Sequence, residues 1–115
     1  MLEDVSITAL HAALNGLAAR QRAISDDIAN VNTPFYRAKS VAFEGGLRDA
    51  LDSGGDPMAV QPTVSLSSAP VGLTYSNVDI NAETVSSVHT QLAYDLALRA
   101  TGDRFTLLRT AVKGA

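Results

Sequence analysis

The residues able to do chemistry are few and poorly placed for it. His11 and His89 are the only histidines, and they stand far apart in the chain. Each reads as a partly exposed helical residue rather than a base or a ligand. Asp26 and Asp27 are adjacent, so on a helix they point to different sides and form no carboxylate pair; a solvated face is the expected role. Gly45-Gly46 and Gly54-Gly55 lack the Lys-Ser/Thr that completes a phosphate loop, and read as turns. Ser65, Ser67 and Ser68 sit in no nucleophile elbow. Neither Asn15-Gly16-Leu17 nor Asn32-Thr33-Pro34 is a glycosylation acceptor. Cysteine is absent, which removes disulfides, thiolate metal sites and a Cys nucleophile together. The expectation is a protein with no catalytic site, no cofactor, no metal and no small-molecule substrate.

Composition points the same way. The formal charge is −3 over 115 residues, which supplies no basic face for nucleic acid. Apolar residues make up 46% against 5% aromatic, a balance of Ala, Leu and Val that suits long helices better than a sandwich. No apolar run approaches the roughly 18 residues of a membrane span. Met1-Leu2-Glu3-Asp4 places no basic region ahead of an apolar one, so no cleavable secretory signal is expected. If the chain leaves the cytoplasm, another route is implied.

The elements divide the chain into residues 1–34, 35–78 and 79–115. The expected fold is mainly α: two long terminal helices in an antiparallel, coiled-coil-like hairpin, with an irregular middle that has room for short strands. In the first segment Ile7, Leu10, Leu14, Leu17, Gln21, Ile24, Ile28 and Val31 fall alternately three and four apart, a seam for another helix. A helix from about Val5 to Val31 follows, roughly 40 Å long at about 1.5 Å per residue. Gln21 in the seam either fixes register or is a tolerated polar residue. Gly16 costs about 1 kcal/mol in a helix relative to Ala, unless it lets another backbone come close. Asn30-Val31-Asn32-Thr33-Pro34 is the stop signal. In the middle segment, Val41–Leu51 suits a short helix, and Val60–Leu66 and Val71–Tyr75 alternate as short strands would. Little there could build a core of its own.

The last helix is expected from Asp79 or Asn81, either of which can cap it, to about Val112, with Lys113 and Gly114 closing it. Tyr94, Leu98, Thr101, Phe105, Leu108 and Val112 keep the three-four spacing. Val85, Val88 and Leu92 form an offset stripe, and Leu96, Ala100, Leu107 and Ala111 a second face. A two-helix hairpin covers one stripe of each helix. What remains exceeds the apolar surface a soluble monomer normally exposes. The chain is therefore expected to complete its core with other copies or other proteins. Leu10, Leu14, Leu17, Ile24 and Ile28 on the first helix form the expected assembly interface with Leu96, Leu98, Phe105, Leu107, Leu108 and Val112 on the last.

The stretch Ile28-Ala29-Asn30-Val31-Asn32-Thr33-Pro34-Phe35-Tyr36-Arg37 resembles the signature of the flagellar basal-body rod and hook proteins. The residues that match are Ala29, Asn30, Thr33, Pro34, Tyr36 and Arg37. Asn77-Val78-Asp79 ahead of a long helix, Tyr94 and the ending from Phe105 to Gly114 are similar to the proximal-rod members. The likeness covers roughly residues 5–40 and 75–114. It implies a structural subunit of the rod that self-associates through its terminal helices into a helical tubular drive shaft. It also implies a basal-body location in the periplasm or cell-wall space, reached through the flagellar type III export apparatus without a cleavable signal. The implied partners are other rod subunits, an adaptor protein at the rod base, the membrane ring and the export gate. One position departs from the family: Phe35 stands where glycine is usual. Phe is poorly suited to the positive φ of a type II turn, so a type I or extended path is expected. Phe35 and Tyr36 then pack on a neighbouring helix or cover the end of their own hairpin. The alternative function is a small helical adaptor or regulatory protein that binds one partner helix in a groove. The rod reading expects charge at Leu17, Leu98 or Leu108 to block assembly while the subunit is still expressed.

Overall fold

The three-four spacing of the first segment folds into a helix α1, Leu2–Ala29, in a computed structural model that describes residues 2–73 and 75–113. At the other end α3, Ile80–Lys113, is the longest element, about 51 Å at about 1.5 Å per residue. Gly114, expected to close it, lies outside the described residues. Between them come strand β1, Lys39–Ala42, helix α2, Glu44–Ser53, a single 3₁₀ turn, Pro57–Ala59, and strand β2, Thr63–Leu66. The fold is thus mainly α, an elongated antiparallel hairpin of α1 and α3, 64 × 26 × 14 Å, with a small middle docked on its side.

Register across the hairpin is marked at three levels. Ile7 lines the same small cleft as Leu108. Gln21 donates from Nε2 to Ser87 Oγ at 2.9 Å. Near the closed end Glu83 comes close enough to Asp27 for the Asp27 charge to raise its carboxyl. Gln21 thus takes a register-marking bond, although its Oε1 is buried and unpartnered in the isolated chain.

The core is small. Leu17, Ala23, Val41 and Phe43 form its buried centre, and Ala13, Ala19, Ala93, Tyr94 and Ala97 pack around it. Ile24 is buried as well. Each large aliphatic side chain so buried contributes roughly 1.5–3 kcal/mol. Two of the central four come from the middle segment, which thereby stabilises a hairpin it does not belong to.

The middle departs from expectation in an instructive way. Val41 sits in β1, not in the helix expected over 41–51, and the helix begins only at Glu44. The reason is packing: Val41 and Phe43 both turn onto α1, an alternation that a strand supplies and a helix does not. Antiparallel pairing sets Val41 opposite Val64 and Lys39 opposite Leu66. The strand expected over 60–66 forms only from Thr63, because Pro57–Ala59 closes a 3₁₀ turn in which Asp56 Oδ1 accepts from Met58 N at 2.9 Å. Described residues of 71–75 form no strand. They make a turn in which Tyr75 N donates to Gly72 O at 3.1 Å.

Arg20 joins α1 to this middle. Its Nε and Nη2 donate to Val41 O at 3.2 and 2.6 Å, it pairs with Glu44, and its guanidinium lies 4.9 Å from the centroid of the Phe43 ring. Gly16 explains why the ring fits. A Cβ there would lie 2.4 Å from Phe43 Cγ, so it is a side chain, not a second backbone, that needs the space.

Gly16→Ala is therefore expected to destabilise the fold by about 1–2 kcal/mol. The gain of about 1 kcal/mol in helix propensity is outweighed by displacement of the ring. Urea unfolding of the two proteins checks this, and a stabilised variant would show that Phe43 does not occupy this notch.

Candidate functional site

The closed end of the hairpin is built on the Asn30–Arg37 stretch. Helix α1 stops at Ala29, two residues before the expected end at Val31. Asn30 marks the stop: its Nδ2 donates to Asp26 O at 2.8 Å, alongside its own backbone N at 3.1 Å, and Val31 N then donates to Ile28 O in a tighter turn. Thr33 Oγ1 donates to Asn30 Oδ1 at 3.0 Å, and Thr33 N to Asn30 O at 2.9 Å. Tyr36 N donates to Thr33 O at 3.2 Å, closing a turn with Pro34 and Phe35 at its centre. Phe35 has φ 65°, which overturns the type I or extended path expected from its side chain. Pro at the second position and positive φ at the third define a type II turn. Tyr75 also takes a positive φ, 63°, and its carbonyl accepts from Phe35 N at 2.9 Å, so two strained residues hold each other. Phe35 neither packs on a helix nor covers the hairpin end; it is 84% exposed.

Asp27 is the centre of this end. It is fully buried, not on the solvated face expected for it. Its Oδ1 accepts from Tyr36 Oη at 3.0 Å, and Oδ1 and Oδ2 accept from Lys39 N at 3.0 and 3.1 Å. Burial, aided by the hydrogen bond to Asp27, pushes the Tyr36 phenol up to about 12. Burial and the Asp27 charge push the Glu83 carboxyl, at the start of α3, up to about 7. Asn77 stitches the last loop to the same place: Ala38 N donates to its Oδ1 at 2.6 Å, and its Nδ2 donates to Ser67 O and Ala69 O. Ser76, buried, donates to Val31 O at 2.6 Å. Arg37 Nε donates to Ser67 O at 2.8 Å. Asp79 caps α3, its Oδ1 accepting from Asn81 N and Ala82 N. Sequence reasoning missed Asp27, Arg20 and Ser76; the one signal for Asp27 was its place nine residues before a tyrosine in a turn that folds back.

The expected interface residues fall into two groups. Leu17 and Ile24 are buried within the chain, and Leu10 and Leu14 are half-buried, so α1 spends this stripe on its own hairpin. Charge at Leu17 would therefore act on folding as well as on assembly. Ile28, Leu96, Leu98, Phe105, Leu107 and Val112 are exposed, and Leu108 is half-buried beside Ile7. Val85, Val88, Leu92 and Leu96 are 56, 62, 58 and 57% exposed and follow one another along a single row of α3. Thr90, Ala93, Tyr94 and Ala97 turn the other way, toward α1. His11 and His89 are exposed. Among the described residues no group of His, Asp or Glu is placed to hold a metal ion, and no helix is long and apolar enough to cross a membrane.

A helical hairpin closed by an Asn-x-x-Thr-Pro-x-Tyr turn resembles the flagellar basal-body rod proteins, and comparison over nearly the whole chain finds similarity to them. No family model matches the chain. Individual relatives do. It is 26% identical over 129 aligned positions to the flagellar basal body rod protein FlgB of Borreliella burgdorferi, covering 94% of this chain and 96% of that protein. It is 27% identical over 131 positions to FlgB of Borrelia hermsii, covering 96% of this chain and 97% of that one. To FlgB of Salmonella typhimurium it is 24% identical over 131 positions, with 96 and 95% covered. The chain is FlgB-like from end to end.

Phe35→Gly tests the closing turn. Glycine removes the left-handed strain, worth about 1–2 kcal/mol, and returns part of it through a more flexible unfolded chain. The variant is expected to be more stable by about 0.5–1 kcal/mol in urea. A loss of stability would mean that this backbone does not hold the positive φ.

Proposed function

We propose that the chain is a structural subunit of the bacterial flagellar basal-body rod, at its proximal part. It self-associates through its terminal helices into a helical tubular shaft. The observation that carries the proposal is the exposed row Val85, Val88, Leu92 and Leu96, on the side of α3 turned away from α1. A row of four half-exposed aliphatics along one rod is surface that association would remove from water. On α1 the seam residues Leu17 and Ile24 are already buried within the hairpin, so the row is left for a different face of another subunit. A contact between two unlike surfaces is head-to-tail, and repeated without closure it produces a helical filament rather than a dimer. Whole-length similarity to FlgB proteins supports the rod as the assembly and a structural rather than catalytic role. The partners in this reading are other rod subunits, an adaptor at the rod base, the membrane ring and the export gate. The subunit would reach the periplasm or cell-wall space by flagellar type III export without a cleavable signal.

The test is the double variant Leu92→Asp, Leu96→Asp. Both side chains are exposed, so the subunit should keep its helicity and its unfolding midpoint to within about 0.5 kcal/mol. Sedimentation across a concentration series should then show growth for the parent chain and none for the variant, and a strain carrying the variant should make no rod. A fixed small stoichiometry for the parent chain at every concentration would favour the adaptor reading and overturn this one.

A further inference from the structure

We propose that the groove between α2 and the hairpin receives the outward row of α3 from a second copy of this chain. The two helices run parallel, held in register by Arg48 against Asp95 and Asp52 against Arg99. The proposal rests on the self-association argued above and names the surface that receives the row.

The groove is a second apolar surface, distinct from the row. It encloses about 510 Å³ and is lined by Ala13 and Leu17 of α1, by Phe43, Leu47 and Leu51, and by Ala93 of α3. Leu17 and Phe43 are buried and form its floor, while Leu51 is 43% exposed at its edge. Neither Val85, Val88, Leu92 nor Leu96 lines it. One chain therefore carries two unlike apolar surfaces, as a head-to-tail contact requires. Their lengths agree. The 10 residues of α2 span about 15 Å, and Val85 to Leu96 span about 17 Å at the same rise of about 1.5 Å per residue.

Charge sets the direction and the register. Gly45, Arg48 and Asp52 follow one another at steps of three and four along one edge of α2, and Arg48 and Asp52 line the groove. Leu92, Asp95 and Arg99 follow one another at the same steps along α3. The four charged residues are exposed, and among the described residues none of them forms an ion pair. Asp95 Oδ1 accepts from the neutral Gln91 amide at 3.1 Å, which leaves its charge uncompensated. The signs run plus then minus along α2, and minus then plus along α3. Parallel helices set opposite charges together at both positions; antiparallel helices would set Arg48 against Arg99 and Asp52 against Asp95. In the parallel register Leu92 meets Gly45, where a Cβ would find nothing within 4 Å, so the incoming side chain has open space. Leu96 then falls between the levels of Leu47 and Leu51, as a knob in the hole they form. Glu44, the remaining carboxylate lining the groove, is already paired with Arg20.

The chain has no cysteine, so introduced ones report proximity cleanly. Full chains carrying either Leu51→Cys or Leu96→Cys are mixed and oxidised at a concentration where the parent chain grows by sedimentation. The 51–96 link is expected to dominate over 51–51 and 96–96. Arg48→Asp with Asp52→Arg should raise the concentration at which growth begins by about 10-fold, with helicity unchanged. Adding Asp95→Arg and Arg99→Asp to the same chain should restore growth. Links of 96–96 in place of 51–96, or undiminished growth of the α2 swap, overturn the groove as the receiving surface while self-association stands. A fourfold variant that does not regain growth overturns the register. A parent chain that grows at no concentration sinks the groove and the shaft together.

Discussion

The closed end of this molecule depends on one buried carboxylate. Asp27 faces away from water on a helix that ends two residues later, and an unpaired charge there would be strongly destabilising. It is tolerated because two chain segments bring donors to it: the turn through Tyr36 and the strand through Lys39 N. Each segment is placed by a different local device. The Thr33–Tyr36 turn aims the phenol, and β1 presents its first amide. The carboxylate thus helps set where the chain reverses. The positive φ of Phe35 follows from the same demand, since the turn must double back within a few residues for Tyr36 to reach Asp27.

The elements that local patterning governs were legible in the sequence. Both terminal helices, the cap at Asp79 and, to within two residues, the stop of α1 at Ala29 follow from periodicity, a capping side chain and the Asn30–Pro34 signal. Features set by tertiary contact were not. Asp27 looks like a solvated residue because adjacent acids usually are, and only the returning turn makes it buried. Val41 fits a helical pattern as well as a strand, and docking against α1 decides for the strand. Phe35 was read from its own preference, which argues against positive φ; the hydrogen bonds from both sides of the loop override that preference. Arg20 gave no signal, because its partners are a backbone carbonyl, a ring and a carboxylate from elsewhere in the chain.

The distribution of side-chain size across α3 bears on what the hairpin is for. A helix that serves only its own fold turns its large aliphatics inward and its small and polar residues outward. Here Thr90, Ala93 and Ala97, with Tyr94 the one large side chain among them, face α1, and Ser87 is bonded across to Gln21, whereas Val85, Val88, Leu92 and Leu96 face out. Small residues at the inner face let the two helices lie close, and the Asp27 network holds one end of them. The hairpin therefore reaches a defined shape with only a handful of large buried side chains. The larger apolar groups are left on a face that the polar network does not touch. Intramolecular closure and the outward row are thus chemically separate, one built from buried hydrogen bonds and small contacts, the other from exposed aliphatic area. A partner that covers the row can add its hydrophobic free energy without rearranging the hydrogen bonds around Asp27.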